Sequence, residues 1–220
     1  MSNNIGTPQR VGGPSLGAWR HPVLMVDGDS SSVEQALSSG GLGCPDCTGV
    51  LRRWGWARMR AVRGAGGFRV RLRPRRSRCA ECGHTHVLLP VFVLVRRADV
   101  VAVIGAALVL AAAGFGFRTV AARLGVAQGT VRGWLRRFRA RAEGWRVVFT
   151  RRVAALDPVL GPIVAYGSRV GDAVEVMGLA AAAWVRRFGP RPPWEFVSEV
   201  SGGALLSPIP AAGAQVAASG

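Results

Sequence analysis

The chain has 220 residues, 29 of them basic and 12 acidic, for a formal net charge of +17. That balance sets it apart from an ordinary near-neutral enzyme and makes a polyanion its natural partner, because a surface of this sign attracts phosphate. Every basic residue is arginine, a bias that a GC-rich genome helps to produce, and guanidinium forks bind phosphate bidentately and read guanine edges.

Residues 1–20 are polar, contain glycine and proline, and lack the apolar run of a secretory leader, so they read as a disordered segment. A reducing, cytoplasmic and nucleoid-associated location is expected. A short apolar run over residues 22–26 precedes Asp27-Gly-Asp-Ser and a helix candidate over 32–38. Asp27 and Asp29 read as residues of a turn rich in Asp, Gly and Ser rather than as a functional acidic pair.

Two Cys-x-x-Cys pairs follow, Cys44 with Cys47 and Cys79 with Cys82, and they use every cysteine in the chain. Four soft thiolates suit a tetrahedral Zn²⁺, and the two-residue spacing lets one turn present two sulfurs to one ion. A structural zinc ribbon over residues 21–95 is therefore expected, with Zn²⁺ as its cofactor. Redox pairs, disulfides and an iron–sulfur cluster are the alternatives, and none has a supporting leader, βαβ setting or spacing. Gly49 and Gly83 suit turns that need positive φ. His84 and His86 are expected beside the site rather than on the metal.

The two pairs are separated by 31 residues that include eleven arginines and no acid, longer than the usual ribbon interval of roughly 15 to 20. An extended hairpin must fill it. Phe68-Arg-Val-Arg-Leu-Arg73 alternates with period two, which places Arg69, Arg71 and Arg73 on one face of a strand. These three are expected to track DNA phosphates; a solvated edge strand is the alternative. Trp54, Trp56 and Phe68 are expected to form the small core of the ribbon.

Residues 98–117 are apolar apart from Asp99, which raises a transmembrane helix. Their many Ala and Gly residues contribute little to insertion, so a buried core helix is expected, with Asp99 acting at its N-terminus and Gly114 and Gly116 at its end. The next segment, Arg118-Thr-Val-Ala-Ala-Arg-Leu-Gly125-Val-Ala-Gln-Gly-Thr-Val-Arg-Gly-Trp-Leu-Arg-Arg-Phe138, resembles a helix-turn-helix. Ala121 sits where the helices cross, Gly125 where the turn is left-handed, and Val120, Leu124, Val126, Val131 and Trp134 at the packing positions. In a second helix over 128–141, Gln128, Thr130 and Arg132 would enter the major groove, and Arg136, Arg137 and Arg139 would lie nearer phosphates. Gly129 and Gly133 weaken that helix. Further helix candidates cover 153–166, which Pro158 and Pro162 interrupt, and 172–188. Residues 201–220 read as a disordered tail.

The expected fold is α+β: a small β zinc ribbon, a helix-turn-helix domain over 96–145, and a helical extension over 146–200. Residues 21–141, through the cysteine quartet and the Gly125 turn, resemble a group of short actinobacterial proteins classed as a domain of unknown function, which join a zinc ribbon to a helix-turn-helix. They are also similar to the DNA-recognising N-terminal part of insertion-sequence transposases. The resemblance implies DNA binding and no established activity.

A transposase catalytic domain needs separated carboxylates that hold two metal ions. From residue 157 onward the acids are Asp157, Asp172, Glu175, Glu195 and Glu199, all within 43 residues. No histidine follows His86 and no Gly-rich loop matches a nucleotide cradle, so neither catalysis nor a small-molecule substrate is expected. The leading expectation is a sequence-specific double-stranded DNA-binding protein, regulator or transposon-derived accessory, with a homodimer possible on paired half-sites. The alternatives are the recognition subunit of a truncated transposase whose carboxylates lie on another chain, and a zinc-stabilised RNA- or protein-interaction module.

Overall fold

The computed structural model describes residues 23–165 and 167–207. The expectations for residues 1–20 and for 208–220 of the tail lie outside the described residues.

A short strand β1 (Val23–Val26) leads into helix α1 (Ser30–Ser39). Asp29 caps this helix, accepting the Ser31 and Ser32 amides at 3.1 Å each, which satisfies donors that the first turn leaves open. The Ser31 and Ser32 hydroxyls, and then their amides, hold its carboxyl well below the usual carboxylate range. Asp27 in turn accepts the Asp29 amide, so both acids serve the turn.

Five further strands follow: β2 (Leu51–Trp56), β3 (Arg60–Arg63), β4 (Arg69–Leu72), β5 (Arg75–Cys79) and β6 (Thr85–Pro90). The order β1-β6-β5-β2 forms one sheet, antiparallel except for the parallel β1/β6 pair, while β3 and β4 form a separate two-stranded ribbon whose Arg63 also bridges Asp99. The long interval between the cysteine pairs thus folds as a hairpin within a hairpin, β3–β4 extending the β2/β5 pair. Helix α1 covers one sheet face, packing Val33 and Leu37 with Leu51, Leu88 and Val26. Val62 and Leu72 of the inner hairpin join Leu89 and Val93 in a second small core.

Six helices follow among the described residues: α2 (Val101–Ala112), α3 (Phe117–Leu124), α4 (Gln128–Arg139), α5 (Ala142–Leu156), α6 (Arg169–Phe188) and α7 (Pro193–Val200). One apolar core joins them, with Ile104, Leu108, Val120, Trp134, Phe138, Trp145, Phe149, Val176 and Phe196 buried together. The apolar segment at 98–117 yields the expected core helix α2, and no helix among the described residues is long and apolar enough to cross a membrane.

Several expectations need correction. The helix candidate at 153–166 stops at Leu156, since Pro158 and Pro162 cannot donate to a continuing helix, and residues 157–165 carry no regular element. Helix α7, which has Pro193 in its first turn, has no counterpart among the sequence candidates. The region after residue 145 is no appendage, because its helices share the core of α2 to α4. The expected tail starts later than Ser201: Leu205 and Leu206 are buried, and the Trp145 Nε1–H donates to the Leu205 carbonyl at 3.1 Å. Burial of that pair outweighs the low-complexity composition around it.

Candidate metal centre and nucleic-acid interface

Both cysteine pairs sit in the same kind of turn. The Cys44 amide donates to the Gly49 carbonyl and the Cys79 amide to the His84 carbonyl, both at 2.8 Å. The turns face each other across the β2/β5 pair, whose register sets Leu51 opposite Cys79. The four Sγ atoms lie within 4.8 Å of one another, with Cys44 and Cys82 at 3.7 Å and Cys47 and Cys79 at 3.4 Å. A tetrahedral ion with Zn–S bonds of about 2.3 Å sets its sulfurs about 3.8 Å apart, so the cluster is compatible with a zinc site.

The surroundings act on the thiols in both directions. Backbone N–H groups of Asp46 and Gly49 donate to the sulfurs of Cys44 and Cys47 at 3.4 and 3.3 Å. Burial pushes the Cys44 thiol up to about 12. At Cys79 burial acts in the same direction, but the Cys82 and Glu81 amides outweigh it and bring the thiol down to about 7. Left to themselves, four clustered thiols resist full ionisation; a bound divalent cation would remove that resistance and release protons.

His86 is buried with Nε2 at 3.6 Å from Cys44 Sγ, and His84 Nδ1 lies at 2.8 Å from the Asp46 carboxylate. Both histidines therefore stand beside the quartet. Gly83 has the expected positive φ of 72°. Gly49 does not; a Cβ there would meet Glu81 Cγ at 2.5 Å and Cys79 Sγ at 2.8 Å, so close approach of the two turns demands glycine.

The helix-turn-helix geometry rests on Gly125, whose φ of 62° and ψ of 31° end α3 in the left-handed region. Val120, Ala121, Val131 and Trp134 are buried at the α3/α4 contact, and Leu124 and Val126 pack against them. On α4 the opposite side is polar: Gln128, Arg132, Arg136 and Arg139 are exposed, and their spacing by three or four residues puts them on one face. Thr130 is half-buried near the helix start. Arg137 departs from the group, being partly buried with its charge felt by Arg97. Helix α3 adds exposed Arg118, Thr119 and Arg123, which sequence reading did not single out.

On the inner hairpin, Arg69 and Arg71 are exposed while Leu72 is buried, following the period-two pattern. Arg73, also exposed, lies just past β4 with its guanidinium 5.8 Å from the Trp56 ring. The hairpin is anchored by a pair that the sequence did not reveal. Asp99, only 4 % exposed, accepts Arg63 Nε and Nη2 at 2.8 and 3.0 Å. Its carboxylate thus ties β3 to the start of α2 instead of acting on the helix alone. Arg60 Nη1 donates to the Arg97 carbonyl in the same junction. The ribbon-core expectation for the aromatic residues fails: Trp54, Trp56 and Phe68 are 52, 46 and 69 % exposed. Trp54 and Trp56 lie on β2 and Phe68 in the turn before β4, and the apolar contacts come from α1 and the inner hairpin instead.

Two family comparisons match this arrangement. Residues 44–113 match a family described as Domain of unknown function (DUF6431), and residues 100–146 match the Homeodomain-like domain. The second spans α2 to α4 and the first turn of α5. It supports DNA binding. Neither curated proteins nor solved structures gave a match.

Proposed function

We propose that this chain is a sequence-specific double-stranded DNA-binding protein whose N-terminal sheet is held by a structural Zn²⁺ on Cys44, Cys47, Cys79 and Cys82. It acts as a transcriptional regulator or as a transposon-derived accessory protein, without catalysis of its own, in the cytoplasm on the nucleoid. The observation that carries the reading is the split character of α4, with Val131, Trp134, Leu135 and Phe138 buried and Gln128, Arg132, Arg136 and Arg139 exposed.

An exposed helix following a left-handed turn is what a major groove admits, and Gln and Arg are the side chains that read adenine and guanine edges. Arg69, Arg71 and Arg73 act as sequence-blind phosphate contacts. A non-catalytic role agrees with the ion pairing of the late carboxylates, Asp157 with Arg186 and Glu199 with Arg191. The Homeodomain-like match also fits the second reading, a recognition subunit whose catalytic carboxylates lie on another chain.

Selection of random duplex DNA by the zinc-loaded protein, followed by sequencing, tests the proposal. An enriched motif is expected, and its symmetry reports whether a homodimer binds. Retention of DNA without enrichment refutes sequence specificity, and a preference for structured RNA refutes the duplex reading.

A further inference from the structure

We propose that the exposed arginine–tryptophan face of the β2/β5 hairpin is a binding site for single-stranded DNA, separate from α4, with Trp54 as its stacking platform. Trp54 sits at the register shift between Arg53 and Gly55, where the irregularity lifts its side chain out of the regular ladder. More than half of the indole is exposed. It lines an open cleft of about 510 Å³ with Arg52, Arg53, Arg78 and the second cysteine turn, residues 79–83.

The cations around it are arranged in advance. The Arg78 guanidinium lies 4.7 Å from the Trp54 ring while its Nε donates to the Gly83 carbonyl. Arg53 is held by Glu34 at 2.9 Å. On the opposite, α1 side of the strand pair, Trp56 is stacked by Arg75 at 4.5 Å. The 31 residues between the cysteine pairs contain no acid; Glu34 of α1 neutralises Arg53 and Arg75, and Glu81 is the acid that lines the cleft with Arg52 and Arg78.

Exposed indoles beside guanidinium groups are the two parts of a single-strand site, one for the face of a base and one for the backbone. A duplex can use only the second, because its base faces are already stacked. The choice of DNA over RNA rests on the duplex-DNA reading of α4 in the same chain. The site itself does not.

The test uses the full zinc-loaded chain, a labelled short oligothymidylate and a labelled duplex, read by fluorescence anisotropy. Trp54→Ala is expected to weaken oligothymidylate binding roughly 5- to 100-fold and leave the duplex unaffected; Trp54→Phe should keep most of the affinity, since a ring still stacks. Arg132→Ala should do the reverse, lowering duplex binding alone. Unchanged oligothymidylate affinity in Trp54→Ala overturns the proposal, as does an equal loss on both probes. Tighter binding of oligouridylate overturns the assignment to DNA. If Arg132→Ala fails to alter duplex binding while Trp54→Ala still abolishes the oligothymidylate complex, the α4 reading fails and this site stands.

Discussion

Gly105, in the middle of α2, faces Trp194 of α7 so closely that a Cβ would lie 2.1 Å from two indole carbons, against the 3.4–4 Å of ordinary contact. In isolation, Gly105→Ala should strengthen α2 by about 1 kcal/mol, because alanine is the better helix former. The clash opposes this gain. Overpacking costs about 1–3 kcal/mol, and an approach this close to a rigid ring belongs at the upper end. The expected net effect is a loss of about 2 kcal/mol, equivalent to a Tm lower by roughly 4–8 °C for a chain of this size. Urea unfolding at fixed zinc gives the value directly. In a Trp194→Ala background the clash is gone, and the same substitution should become stabilising by about 1 kcal/mol. If Gly105→Ala is neutral in the wild type, or equally harmful in both backgrounds, then α7 does not pack on the helix-turn-helix unit as described.

Gly125→Ala tests a different origin of strain, since a Cβ there meets nothing within 4 Å and only the φ of 62° opposes it. Thermal unfolding should show a loss of about 1 kcal/mol, and Gly125→Asn a smaller one, because asparagine tolerates the left-handed region. Chelation of zinc should unfold the β1-β6-β5-β2 sheet, since metal binding and folding form one equilibrium in small sites. Unchanged circular dichroism and DNA affinity after chelation would exclude that coupling. Replacing Arg132 by Ala should change base preference at one position by about 1–3 kcal/mol, whereas Arg71→Ala should weaken all duplexes alike and reduce the slope of affinity against salt by about one unit. Identical behaviour of the two variants in a salt titration would remove the distinction between reading and positioning residues.

Local chemistry was legible in the chain wherever a few neighbouring residues decide it. Two Cys-x-x-Cys spacings marked both turns that converge on the thiol cluster. The Ala121 and Gly125 pattern marked the α3/α4 geometry, because a close helix crossing and a left-handed turn each admit few residues. Alternation marked β4, and apolar composition marked α2 as a buried helix.

Tertiary structure decided what depends on contacts between distant segments. The Arg63–Asp99 pair joins residues 36 positions apart, and no periodicity signals such a partner. Leu205 and Leu206 carry weak local preferences in a Gly- and Ser-rich segment, yet the α5 surface buries them. Trp54 and Trp56 have the composition of core residues, but α1 fills one side of the small sheet and the inner hairpin supplies the second core, which leaves both indoles in water. Side-chain hydrophobicity is a property of the residue, whereas exposure depends on what the rest of the chain packs against it.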